Sequence, residues 1–405
     1  MDHRRSHNPN SGQQNRHSAH KRRRDDTGRR PNHHQSQSGS TPWQNPLCSR
    51  GLSTRRELYE RDFPVYKQPV EVGCFSLDSE RRFFNDSRQL RYYAEPDRNP
   101  HFDLKDGYKD RYVKRDENLK EKLDHILRWI LSHCPYVDFV TWRGHLTKLL
   151  TTPYEAREGW LLAVTRFRGT LYISEVETEA SRRERENRTE RHAEMMYWGY
   201  KFEQYTCADN VHSLPDPGGV VNTNEGFCTV VQTRLSDHRL LFSGEVDCRD
   251  KDPKAPAPPA CYVELKTSLE ITTPKQFKLI KWWAQSFLPG VPRVVAGFRD
   301  HDGVVVAVET FPVSKMSQLI KNCWKPTVCM NFCCDFLSFV KQTATEDDPG
   351  VVYLFSFEPH RDVTYSIHRD SQYSFLPHWY VDEITRSQLS PHMPSCYHAF
   401  SSLAV

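Results

Sequence analysis

From Leu58 onward the apolar positions of this chain recur in two rhythms, one of period two and one near 3.6, in alternation. Leu119, Leu123, Ile126, Leu127 and Ile130 share one face of ENLKEKLDHILRWIL, which predicts an amphipathic helix ended by Pro135. Residues 161–166 and 171–177 alternate as strands around Arg168-Gly169, a hairpin turn. The charged run 179–197 predicts an exposed helix leading into Gly199-Tyr200-Lys201-Phe202-Glu203. Strands follow at 239–248 (RLLFSGEVDC) and 261–267 (CYVELKT), joined by DPKAPAPPA, whose prolines cannot sit inside a sheet. KLIKWWAQSFL, 278–288, reads as a helix stopped by Pro289-Gly290. Strands at 293–298 and 304–311, a Cys-rich helix at 328–343, and strands at 351–357 and 363–367 complete the pattern. No internal repeat is present.

The pattern fails at both ends. Residues 1–55 carry almost no aliphatic side chains, so they cannot bury enough apolar surface to offset chain entropy and are expected to be disordered. After about Asp382 the chain turns polar, and 386–405 reads as a loose tail. Between them, 56–385 is expected to form a single α/β (mixed α+β) body around mixed β-sheets with flanking helices, with ample length for a core.

Charge separates the tail from the body. The chain's net charge is +4, but residues 1–50 hold ten Lys/Arg against three Asp/Glu, so the remainder is slightly acidic. The pI of about 8.4 therefore describes a basic tail and not a basic fold. Lys21-Arg22-Arg23-Arg24 and Arg29-Arg30 fit a nuclear-import signal or an RNA-attracting tail, and equally a solubilising tail. No apolar run is long enough to span a membrane, and the first residues lack a signal-peptide core. Twelve Cys without a secretion signal point to free thiols in a reducing compartment. Secretion, membrane insertion and a disulfide scaffold are not expected.

The chemistry concentrates in Glu203, Glu245-Val246-Asp247 and Glu264-Leu265-Lys266. Side chains at i and i+2 of a strand share a face, so each acid pair or acid–lysine pair would point one way while the residue between points into the packing. If the two strands neighbour each other, carboxylates and an ammonium converge. Clustered carboxylates repel one another and lose hydration, a conflict that a hard divalent cation relieves, and oxygen-only ligands favour Mg²⁺ or Mn²⁺ over Zn²⁺. Asp247 followed seventeen positions later by Glu264-x-Lys266 resembles the PD-(D/E)xK nuclease core, although two ordinary strands with salt-bridged edges fit the same spacing.

The wider sequence narrows this. WRGHLTKLL (142–150), GYKFEQ (199–204), GEVD (244–247), VELKTS (263–268) and KWWAQSFLPGVP (281–292) occur in order. Together they resemble the decapping and exoribonuclease family over roughly residues 65–385. The resemblance implies a metal-dependent hydrolase of RNA 5′ ends that removes incomplete or unmethylated caps, pyrophosphate and NAD-type caps and degrades RNA 5′→3′. It implies two Mg²⁺ ions, with Mn²⁺ as a substitute, held by Glu203, Glu245, Asp247, Glu264 and the Leu265 carbonyl. Lys266 and Gln285 would contact the scissile phosphate or the attacking water, with Glu245 and Asp247 also catalytic. Trp142, Arg143 and Gly144 would hold the substrate, and Arg81, Glu121 and Cys228 would lie near it. The implied partners are capped, NAD-capped, triphosphate and monophosphate RNA ends and a nuclear 5′→3′ exonuclease, with a nuclear location. One departure stands out: only LEITTPKQF (269–277) separates VELKTS from KLIKWW, a shorter connection than the family's usual one.

Other features read as packing. Cys329, Cys333 and Cys334 have helical spacing among Phe332, Phe336 and Leu337, which suits buried thiols better than a metal site. Trp282-Trp283 could stack on bases, but their helix also carries Phe277, Ile280 and Phe287 and favours core. Two rival functions remain open: a non-catalytic partner that stabilises an exonuclease, and a DNA-directed nuclease with the same core.

Overall fold

The two rhythms resolve into two β-sheets layered between helices. The computed structural model describes residues 47–48, 51–97, 99–269, 276–319 and 323–389. The readings made for residues 1–46 (the basic cluster among them) and for 390–405 lie outside the described residues. The main elements in chain order are β1 (Val70–Leu77), α1 (Asp124–His133), β2 (Phe139–Trp142), α2 (Arg143–Thr151), β3 (Trp160–Phe167) and β4 (Thr170–Val176). Next come α3 (Glu179–Glu186), α4 (Glu190–Thr206), β5 (Gly226–Leu235), β6 (His238–Glu245), β7 (Cys248–Arg249) and β8 (Tyr262–Leu269). The chain continues through α5 (Gln276–Phe287), β9 (Arg293–Arg299), β10 (Val304–Pro312), α6 (Pro326–Thr343), β11 (Val351–Phe357), β12 (Thr364–Arg369) and α7 (His378–Leu389).

The larger sheet runs β12-β11-β3-β4-β2-β6-β5-β1 and ends on the short strand Phe83–Phe84. The smaller has β7-β8-β9-β10 at its centre, flanked by short strands that include Tyr92–Tyr93 and Cys207–Ala208. Parallel pairs (β2 with β4, β2 with β6, β8 with β9) mix with antiparallel ones, as expected for a mixed α/β body. Helices α2, α5 and α6 share one core with the facing surfaces of both sheets, where Leu146, Trp283 and Phe332 meet Leu162 and Phe242 on one side and Val294 and Phe298 on the other. Helix α1 and Tyr380 of α7 cover the far face of the larger sheet. Helix α4 covers the far face of the smaller one through Tyr197, Trp198 and Phe202. Trp282 and Trp283 are buried, as are Cys329 and Cys333, in keeping with their packing reading, while Cys334 is only half-buried.

Several boundaries differ from the sequence expectation, each for a local reason. The 117–131 helix begins only at Asp124, because Lys122 takes a left-handed backbone (φ 45°) and the preceding turn is drawn into side-chain contacts. The 179–197 helix is two helices, each started by a threonine: Thr178 Oγ1 accepts the Ser181 N–H, and Thr189 Oγ1 accepts the His192 N–H. The 3.6-residue periodicity cannot register such a restart in a run with no apolar face. Ordered structure also extends past the expected 56–385 body at both ends. Leu52 is fully buried and exchanges backbone hydrogen bonds with Val363, and α7 runs to Leu389, anchored by the Tyr380 hydroxyl on that of Tyr172. The 161–177 hairpin is found with Arg168 (φ 53°) and Gly169 (φ 78°) at the turn, a pair of left-handed residues that suits the twist of β3 and β4.

Candidate active site

The break in the predicted 239–248 strand builds the site. The ladder of the larger sheet ends at Glu245, and the chain then crosses to the smaller sheet, which it joins at Cys248. Val246 is buried at the crossing. Glu245 and Asp247 therefore do not share one face of a single strand, contrary to what the i, i+2 spacing predicts. They stand on either side of a gap between sheets.

Asp247 is tied to the neighbouring strand: its Oδ2 accepts the Leu265 N–H at 2.6 Å. Pairing of β7 with β8 stops at Cys248 opposite Val263. In a strand, a residue's N–H and C=O face the same edge. The Leu265 carbonyl therefore faces the same gap, beyond the last ladder partner. Glu264 and Lys266 do share a face of β8, with Lys266 Nζ donating to Glu264 Oε1 at 2.5 Å. Glu203 enters from α4, where Arg91 Nη2 donates to its Oε2 at 2.7 Å.

Arg143 opens α2 and crosses the gap. Its Nη1 donates to the Gln285 carbonyl at 3.1 Å and lies 3.6 Å from Glu264 Oε2, while its Nη2 donates to the Glu245 carbonyl at 3.0 Å. One guanidinium thus links α5, β6 and β8. Gly244 makes the crossing possible, since a Cβ there would lie 2.9 Å from the Arg143 Cβ and 3.0 Å from its Nε. The first turn of α2 has no side-chain cap, and nothing lies within 4 Å of a Cβ at Gly144, so its N–H groups and the positive end of its dipole are open to an anion.

The electrostatics divide the acids. Burial raises the Glu203 carboxyl, with Glu245 reinforcing it against Arg91. Glu245 keeps part of its surface open to the cleft, yet burial and Asp247 raise it too. Burial, Glu264 and Glu203 push Asp247 up to about 8 despite Lys266 and the Leu265 N–H. Glu264 behaves oppositely: burial would raise it, but Lys266 and Arg143 hold it below the usual carboxylate range. Burial would lower Lys266, and Glu264 and Asp247 outweigh it, so the ammonium stays charged.

Each of the four carboxylates thus feels another, and all the donors are oxygen, the composition a hard divalent cation requires. Among the described residues, no three acid, imidazole or thiol groups are already gathered around one point. Glu203 is turned onto Arg91 and Glu264 onto Lys266, so the protein's own cations stand in as counter-charges.

Two cavities meet at Gly226 and Glu245. One, about 460 Å³, runs past Arg91, Tyr200, Glu203 and Asp247. The other, about 510 Å³, runs past Arg81, Glu121, Trp142, His145 and Cys228. In the second, Arg81 makes a fork onto Glu121 (2.9 and 2.5 Å) and donates to the Asn224 carbonyl, and Arg115 adds 2.6 Å to the same carboxylate. Trp142 Nε1 donates to the Lys122 carbonyl at 2.6 Å, which holds the turn before α1 against the cavity. Cys228 pairs with Glu245 across β5 and β6, and burial with Glu245 pushes its thiol up, making it a neutral packing group rather than a nucleophile.

Of the residues singled out from the sequence, Arg81, Glu121, Trp142, Glu203, Cys228, Glu245 and Asp247 line the two cavities, and Arg143, Glu264, Leu265 and Lys266 join them through hydrogen bonds and ion pairs. Gln285 contacts Arg143 through its backbone carbonyl, with a half-buried side chain. The short 269–277 connection falls largely outside the described residues. Sequence reasoning missed Arg91, Arg115, His125 and Tyr200. Arg91 and Arg115 lie outside any long element, and His125 and Tyr200 lie on helices whose pattern says nothing of what they face, so only their contacts reveal them.

The sequence profile of the family described as RAI1 like PD-(D/E)XK nuclease matches residues 67–381. The decapping and exoribonuclease protein of Bos taurus is 54% identical over 367 residues, spanning 85% of this chain and 92% of the relative. The crystal structure of Candida albicans Rai1 in complex with pU5-Mn2+ superposes with TM-score 0.71 at 25% identity, covering 81% of this chain and 96% of that one. That of S. pombe Rai1 in complex with 3'-FADP gives TM-score 0.65 at 26% identity, over 78% of this chain and 98% of that one. A match over most of the chain places this chain in the RAI1-like PD-(D/E)XK nuclease family.

Proposed function

We propose that this chain is a divalent-metal-dependent hydrolase of RNA 5′ ends. It removes incomplete or unmethylated caps, 5′ pyrophosphate and NAD-type caps, and it degrades RNA 5′→3′. One observation carries the reading: Glu203 of α4, Glu245 at the end of β6 and Asp247 of the crossing line one cavity, and Asp247 is tied to the Leu265 N–H of β8, whose Glu264 has Lys266 and Arg143 against it. The Candida relative's complex with pU5-Mn2+ and the S. pombe relative's with 3'-FADP support an RNA or dinucleotide 5′ end as the ligand class and a divalent ion as cofactor.

The four carboxylates and the Leu265 carbonyl would hold the cation, Mg²⁺ in our reading, as two ions, with Mn²⁺ as a substitute. When bound, it would supply Lewis acidity at the phosphate and a lowered pKa for an attacking water. The remaining roles belong to the chain. Arg143, held by two carbonyls, presents a fixed guanidinium to a phosphate. Lys266, kept protonated, adds positive charge where the transition state is most negative. The open N-terminus of α2 binds the entering 5′ phosphate. Attack at phosphorus is the same event for a cap linkage and a phosphodiester, so one gap serves both. The chain acts in the nucleus beside a nuclear 5′→3′ exonuclease, and the basic cluster at 21–24 supports the location.

Wild type, Glu245→Ala and Asp247→Ala should be compared on 5′-monophosphate, NAD-capped and methylated-cap RNA, with Mg²⁺ or EDTA. Wild type should consume the first two substrates only with metal, and both variants should be inert. Equal turnover in the variants rejects the site. An inert wild type that still tightens an exonuclease complex makes the chain a scaffold.

A further inference from the structure

The cavity beside Glu203 has a wall that the proposed chemistry does not use. Most of its lining is charged or polar, yet Leu214 (83% exposed), Val220 (59%) and Tyr200 (38%) also face it. These side chains do not sit on a loose loop. Lys201, fully buried on α4 two residues before Glu203, donates to the Pro217 carbonyl (2.6 Å), Asp106 Oδ2 (2.9 Å) and Gln204 Oε1 (3.0 Å). Gln204 Nε2 donates to the Gly219 carbonyl at 3.0 Å, and Arg111 Nη1 to the Gly218 carbonyl at 2.8 Å. The Val221 N–H closes the set on the Arg111 carbonyl at 2.9 Å. The wall is thereby fastened to the helix that carries Glu203.

A buried lysine satisfied by three oxygens is a costly fastening for a surface loop. It holds apolar groups in water, where they gain nothing until a flat apolar surface covers them. A lipid chain does not suit the neighbouring Arg91, Glu203 and Asp247, whereas a nucleotide presents a π-face to the wall and its phosphate to the charges. About 460 Å³ lies toward the lower end of the roughly 300–1,000 Å³ that small-ligand sites span, which suits one nucleotide.

We propose that Tyr200, Leu214 and Val220 form a pre-set platform for one of the two nucleobases that flank the cleaved phosphate. The proposal rests on the 5′-end hydrolase reading and adds a base-contacting subsite to it.

The test uses 5′-phosphorylated RNA pentamers, either intact or with a single abasic sugar at the first or second position, on wild type and Leu214→Ser/Val220→Ser. The double variant should lower kcat/KM on intact RNA about tenfold, mostly through KM, the scale of losing one base contact. On one of the two abasic RNAs, wild type should fall by the same factor and the variant should lose nothing further. An intact-RNA kcat/KM within about twofold of wild type, or losses that add at both abasic positions, overturns the platform. Fluorescence-polarisation binding of the same RNAs in Ca²⁺ judges the platform by the same pattern even if no RNA is cleaved. A failure of the function reading is thus distinguished from a failure of this one.

Discussion

Gly244–Cys248 and Val263–Thr267 both carry an acid, an apolar residue and a second charged group in the same spacing, and the fold treats them in opposite ways. The second is a regular stretch of β8, where Glu264 and Lys266 share a face and neutralise each other at 2.5 Å. The first bridges two sheets, so Glu245 and Asp247 end up facing other acids, and both are raised. One segment comes with its counter-charge built in, and the other is left short of positive charge. A metal site needs both conditions. The deficit supplies the driving force for cation binding, and the fixed ammonium keeps one acid ionised and orients it.

The contrast breaks most sharply at Lys266. Lys266→Met leaves Glu264 buried without its main partner, so steady-state kinetics should show kcat/KM down about 10²–10³-fold, the usual scale for one preorganised charge. A loss below about tenfold would show that the pairing is only structural. Arg91 tests the other half. It holds and orients Glu203 through one carboxylate oxygen, so Arg91→Met should weaken Mn²⁺ binding about 10–100-fold by calorimetry. Tighter binding would mean that Arg91 competes with the ion instead.

A smaller effect is carried by pH. Burial and the neighbouring acids push the Asp247 carboxyl from its ordinary value of 3.8 up to about 8 in the fold, so the metal-free native chain keeps a proton that the unfolded chain sheds in that window. Its thermal stability should therefore fall as pH rises through that window. Metal affinity should rise about tenfold per pH unit toward about pH 8, because the ion displaces that proton. A pH-independent affinity between pH 6 and 8 would contradict the raised carboxyl. Smallest is Gly244→Ala. The added Cβ meets Arg143 at 2.9 Å, and chemical denaturation should show about 1–3 kcal/mol lost to overpacking, with KM for RNA raised as the guanidinium shifts.

Much of this was legible from residues 58–382 alone. Period-two and period-3.6 stretches located many of the long elements, because burying one face forces that spacing on a strand or helix, but β1, α2, β5 and α7 were not read. The pairing of Glu264 with Lys266 could also be read, since both lie within one strand. The pairing of Leu52 and the helix running to Leu389 could not be read, because each is held by a few contacts with distant residues, Val363 and Tyr172.

Local order is encoded by neighbours along the chain, and so the amino-acid sequence by itself determined the alternation of strand and helix and which residues had chemistry to offer. Tertiary structure alone decided that the 239–248 run breaks at Val246, that Arg143 reaches three elements through the space over Gly244, and that Arg91 faces Glu203 across 112 residues of chain. Those outcomes depend on which surfaces meet in space, and a carboxylate's charge state depends on what surrounds it. Neither is written in the spacing of residues along one strand.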